Sequence, residues 1–77
     1  MNYKVLIIDD EPLARSIVKE CLQQHPQLKL MEECNNGFEG VKAIQQHNPD
    51  LIFLDIQMPK ITGFEMLELI ENPPYVI

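Results

Sequence analysis

Three aspartates stand where carboxylates can do chemistry. Asp9 and Asp10 directly follow the apolar run Val5-Leu6-Ile7-Ile8, and Asp55 follows a second such run, Leu51-Ile52-Phe53-Leu54. Short continuous apolar runs read as strands buried on both faces of a parallel sheet. In open α/β sheets, sites form beyond the carboxyl ends of the strands. If the two strands are neighbours, three carboxylates meet at one edge of the sheet and raise one another's pKa by repulsion. A divalent cation removes that conflict. Oxygen ligands from a few carboxylates, with positions left for water, suit Mg²⁺. An Asp with its ordinary pKa of about 3.9 is ionised at neutral pH. It can attack phosphorus and form an acyl phosphate, a reaction that depends mainly on positioning and charge neutralisation.

Each residue also has an ordinary reading. Asp9 or Asp10 could simply cap the helix that starts near Pro12. Asp55 could be a plain strand end, and Met58-Pro59 and Gly63 could be loop punctuation. The joint pattern outweighs these single readings: apolar strand, Asp-Asp, helix, then apolar strand, Asp, and a loop with Met-Pro and Gly.

The elements that must position these acids are legible. Pro12 suits a first helical turn, where its missing N–H costs nothing. Leu13, Ala14, Ile17, Val18, Cys21 and Leu22 recur at helical spacing, with Arg15, Lys19, Glu20 and Gln23 on the other side. This predicts a helix over 12–24 that stops near His25-Pro26. A strand with weak alternation follows over 28–33, then the turn and cap signal Asn35-Asn36-Gly37. A second helix is expected over 38–46, broken by His47-Asn48-Pro49-Asp50. A third is expected over 64–71, ended by Asn72-Pro73-Pro74, and Tyr75-Val76-Ile77 opens a fourth strand. The order β-α-β-α-β-α-β implies an α/β fold, a parallel sheet with helices on its faces. Right-handed crossovers put the first helix on one face and the second and third on the other.

Composition narrows the function classes. At 77 residues the chain makes one small domain of marginal stability. A net charge of -6, with six scattered basic residues, argues against a general nucleic-acid surface. Cys21 and Cys34 have no metal-type spacing. One disulfide stays open, but two reduced, buried thiols are the favoured reading. No run of about 18 apolar residues could span a membrane, and the start lacks the apolar segment of a signal peptide. His25 and His47 lie in polar turns and are expected to be solvated, and Glu32-Glu33 to be an exposed strand end.

These residues resemble a known family, the receiver domains of two-component response regulators. The matching pieces are Val5-Leu6-Ile7-Ile8-Asp9-Asp10-Glu11-Pro12 and Leu54-Asp55-Ile56-Gln57-Met58-Pro59, with Gly63 four residues beyond that proline and Asn36-Gly37 before the second helix. The string from Asp9 to Arg15, with Gly63-Phe64-Glu65, looks most like the LytTR-type regulators. The resemblance implies a flavodoxin-like receiver fold with the second strand at one edge, then the first, third and fourth. It implies that Asp55 accepts a phosphoryl group from a sensor histidine kinase, and that the chain is not itself an enzyme. Asp10 would bind Mg²⁺ directly, Asp9 through a metal-bound water, and Gln57 through its backbone carbonyl. Gly63 would let the loop after Asp55 close tightly. A cytoplasmic location follows, with no membrane contact, and DNA would be reached only through a domain outside this chain.

The departure from the family pattern is plain. Residues 1–77 read as an incomplete receiver, lacking the end of the fourth strand, the fourth helix, the fifth strand and the fifth helix. The family's hydroxyl residue and lysine on those strands are not in the chain, and Lys60 in the loop is no substitute. Weak phosphorylation and self-association through the open fourth strand, or partial folding, are the expectations. Two other readings stay open. One is a passive interaction module without phosphoryl chemistry. The other is a Mg²⁺-dependent aspartyl phosphatase of the haloacid-dehalogenase-like class, which wants a second acid where this chain has Gln57.

Overall fold

A computed structural model of the chain describes residues 2–55 and 74–77. The expected helix over 64–71, and Gln57, Met58, Pro59 and Gly63, lie outside the described residues. The described elements are β1 (Tyr3–Ile8), α1 (Pro12–Gln23), β2 (Leu28–Cys34), α2 (Gly37–His47), β3 (Leu51–Leu54) and β4 (Tyr75–Val76). Boundaries fall within one or two residues of the sequence expectation. The strands form one parallel sheet in the order β2-β1-β3-β4, the order that the family resemblance implies.

β1 is the central strand, and Val5, Leu6, Ile7 and Ile8 are all fully buried. Its side chains alternate between two cores. Val5 and Ile7 pack with Leu22, Val18, Leu28, Leu30, Leu51 and Phe53 on the α1 face. Leu6 and Ile8 pack with Cys34, Ala43, Ile44 and Ile52 on the α2 face. A strand covered on both faces has no position for a polar side chain, which is why its sequence is continuous rather than alternating.

β2 breaks its own alternation. Val5 pairs with Leu30 but Leu6 pairs with Glu32, so Met31 is an extra residue, a β-bulge. A one-residue slip moves every later side chain to the other face. Leu28 and Leu30 therefore face α1, and so does Glu33 beside Ile7, while Glu32 and Cys34 face α2 beside Leu6 and Ile8. This is the physical cause of the weak alternation in 28–33.

Both helices have recognisable ends. Pro12 opens α1, and Asn36 caps α2, its side-chain oxygen accepting from the Glu39 N–H at 2.9 Å. Asn48 ends α2 in the left-handed region at φ 49°, its N–H donating to the Ile44 carbonyl; asparagine tolerates that conformation better than most residues.

Four sequence expectations are corrected. The α1 stripe is wider than the face it buries: Leu22 is buried and Ala14 and Val18 half-buried, while Leu13 and Ile17 stand 74% and 57% exposed. Cys34 is buried but Cys21 is exposed; both are free. His47 is half-buried and not simply solvated: its Nε2 lies 2.9 Å from Oε1 of Glu32, which the bulge carries to the α2 face. Of the run Leu51–Leu54, read as buried on both faces, only Ile52 is fully buried and the other three are half-buried. Glu33 is exposed as expected, yet it pairs with Arg15 and Lys19 of α1.

Candidate functional site

β1 and β3 are neighbours in register, Ile8 beside Leu54, so the residues that follow them emerge together. Two backbone hydrogen bonds extend the ladder past the strand ends: Asp55 N–H to the Ile8 carbonyl at 2.9 Å, and Asp9 N–H to the Cys34 carbonyl at 3.0 Å. Asp9 is thus aligned with β2 and Asp55 with β1. The pairing of the strands fixes these two positions before any side chain is considered.

Asp9, Asp10 and Asp55 each present a carboxylate oxygen within 4.8 Å of the others, and all three residues are half-buried. Among the described residues this is the one acidic cluster of that compactness. Asp10 is raised above the usual carboxylate range, first by loss of solvent and next by a hydrogen bond with Asp55. Its own backbone N–H opposes the rise, and the charges of Asp55 and Asp9 add to it. Asp10 is therefore in the conflict that the spacing in the sequence suggested. The donor set is all oxygen and carries several negative charges, which fits Mg²⁺ and does not fit a thiolate- or imidazole-seeking metal.

The ordinary reading of Asp9 is realised as well. Its Oδ1 accepts from the Glu11 N–H at 2.9 Å and so steadies the entry to α1, whose N-terminus has no side-chain cap of its own. Asp9 thus has one oxygen engaged in the loop. Arg15, which the helical pattern placed on the polar side, reaches back over this loop to the Asp9 carbonyl. Sequence reasoning missed that role. The available signal was an arginine one turn into the helix that follows an Asp pair. Gln57 lies outside the described residues.

The chain matches the response regulator receiver domain family over residues 5–77. The transcriptional regulatory protein BtsR of Escherichia coli K12 is 46% identical over 76 residues, 96% of this chain and 32% of BtsR. BtsR of Salmonella typhimurium is 45% identical over the same shares. The chain thus spans about a third of the length of these relatives. Among solved structures, the response regulator domain of Thermotoga maritima CheB superposes with a TM-score of 0.91 at 32% identity, covering 99% of this chain and 58% of that one. The receiver domain of NarL from Mycobacterium tuberculosis gives 0.87 at 28% identity, over 97% and 63% of the two chains. With the acids at the ends of β1 and β3, a sheet of this order and a match over nearly its whole length, the chain belongs to the response regulator receiver domain family.

Proposed function

We propose that this chain is the phospho-accepting part of a two-component response regulator, with Asp55 as the acceptor. The observation that carries this reading is the convergence of Asp9, Asp10 and Asp55 within 4.8 Å at the ends of two neighbouring parallel strands. In the proposed reaction an Asp55 carboxylate oxygen attacks the phosphorus of a phosphohistidine on a sensor kinase. The new P–O bond makes an acyl phosphate, the P–N bond breaks, and the imidazole leaves with the electron pair. Asp10 and Asp55 would hold Mg²⁺ directly, with the backbone carbonyl of Gln57, and Asp9 would act through a bound water. Bound there, Mg²⁺ supplies the charge neutralisation that phosphoryl transfer needs. The chain's own contribution is to orient the three carboxylates on a rigid sheet edge.

The output is transcription, through a DNA-binding domain outside this chain and of the LytTR type. The name of BtsR as a transcriptional regulatory protein supports the first part, and the string from Asp9 to Arg15 supports the second. The setting is cytoplasmic; no helix among the described residues is long and apolar enough to cross a membrane. Treatment with acetyl phosphate and Mg²⁺, followed by mass spectrometry, tests the acceptor. A single phosphoryl group on Asp55, absent from Asp55→Asn, is the expected outcome. Labelling that survives Asp55→Asn overturns the assignment, and no labelling at all favours a passive interaction module.

A further inference from the structure

Arg15 connects the acidic loop to β2, the strand beside β1. Its side chain is 18% exposed, and its two ends point to different elements. Nη1 donates to the carbonyl oxygen of Asp9 at 2.6 Å, while Nε lies 3.3 Å from Oε1 of Glu33 on β2. Lys19, one turn further along α1, takes the other oxygen of Glu33 at 3.0 Å. Glu33 is on this face because of the bulge at Met31; without the extra residue it would point toward α2. Asp9 is consequently held at three atoms. Its N–H donates to the Cys34 carbonyl, its carbonyl accepts from Arg15, and its Oδ1 accepts from the Glu11 N–H.

The peptide unit whose carbonyl Arg15 grips is the one that joins Asp9 to Asp10. Fixing that carbonyl fixes the plane of the peptide, because its atoms are coplanar. The plane sets where the Asp10 side chain leaves the backbone. From this we infer that Arg15, anchored by Glu33, is a positioning residue of the acidic site, setting the direction in which Asp10 offers its carboxylate to a divalent cation. A planar, forked guanidinium can hold a carbonyl with one nitrogen and a carboxylate with another, which an ammonium does less rigidly. Residues that orient metal ligands from behind typically change affinity by about 10- to 100-fold when lost.

The inference rests on the Mg²⁺ reading of the site, and charge alone makes the opposite forecast. Removing a cation beside three carboxylates strengthens their attraction for Mg²⁺. Loss of positioning weakens it. Mg²⁺ titration of the full chain, followed by amide shifts, therefore separates the two by sign in Arg15→Gln. Thermal melting without metal is measured alongside, because a merely structural role lowers the melting temperature while leaving the Mg²⁺ affinity of the folded protein unchanged. The expected result is about tenfold weaker binding in Arg15→Gln, and a smaller loss in Arg15→Lys. Equal or tighter binding by folded Arg15→Gln overturns the inference. Should Arg15→Gln fail to fold, Arg15→Lys decides, because its charge is kept: weaker binding supports positioning and unchanged binding overturns it. A wild-type chain with no saturable response centred on Asp9, Asp10 and Asp55 overturns the Mg²⁺ reading itself, and this inference with it.

Discussion

Cys34 shows how much a single residue's chemistry depends on its surroundings. It has no exposed surface, and its thiol is pushed up to about 12, first by burial and then by the charges of Glu32 and Glu39. A weak contact from its Sγ to Glu32 at 3.8 Å acts in the same direction, and Arg15 opposes it. The thiolate is the reactive form, so Cys34 should resist alkylation while exposed Cys21 reacts. Mass spectrometry after brief treatment with iodoacetamide should find one modified cysteine, Cys21. The same shift makes the fold sensitive to alkali. An acid whose pKa is raised in the folded state contributes stability that is present below its unfolded value and lost as pH rises toward the folded one. For Cys34 that window runs from 9.0 to about 12. Melting curves of wild type and Cys34→Ala across this range should show a smaller alkaline loss in the variant, even though it starts less stable.

At the scale of elements, the helices are specified mainly at their ends. α2 has Asn36 accepting from Glu39 N–H, and Glu39 in turn reaches back to accept from the Asn35 N–H at 3.3 Å. Lys4 donates to the carbonyl of His47 at 3.2 Å, satisfying one of the free carbonyls at the other end. Asn36→Ala removes the N-terminal cap and should destabilise the chain by about 1 kcal/mol. Asn36→Asp should cost much less, because the acceptor oxygen remains and a negative charge there is favourable. Urea melts of the two variants check this; equal losses would mean that the cap bond contributes little. β2 is the contrasting element. Its bulge places Glu33 against α1 and Glu32 against His47 of α2, so one strand ties α1 and α2 to the sheet.

At the scale of the whole molecule, the described residues form two small cores on opposite faces of a four-stranded sheet. A core in a chain of this size rarely supplies more than about 3–5 kcal/mol. At the same time apolar surface is open: Leu13 and Ile17 on α1, Tyr75 of β4 at 80% exposure and Ile77 just beyond it at 64%. Among the described strands β4 is an edge, and an exposed apolar edge is a template for pairing. Self-association of this chain is the proposed consequence. The net charge of -6 opposes it, so salt, which screens that repulsion, should promote it. Sedimentation across a range of concentrations, at low and at moderate salt, provides the check. A monomer throughout, with one sharp melting transition, would show that the chain closes its own core.

The sequence by itself determined the strands β1 and β3, the acids that follow them and the limits of α1 and α2; the full burial it also implied holds for Val5–Ile8 of β1 but in β3 only for Ile52. These follow from signals that act within a few residues: continuous apolar runs, a proline in a first turn, an asparagine cap, an asparagine that accepts a left-handed turn. Only the tertiary structure decided which face each side chain meets. Both faces of β1 are apolar, so its own pattern assigns neither, and β2 changes face at a bulge that depends on its pairing with β1. That single slip buries Cys34, pairs Glu32 with His47 and brings Glu33 to Arg15. Likewise, the apolar stripe of α1 was visible, but how much of it is covered depends on what the rest of the molecule lays against it, leaving Leu13 and Ile17 exposed. Local preferences act along the chain, whereas register and cover are set by partners distant in sequence.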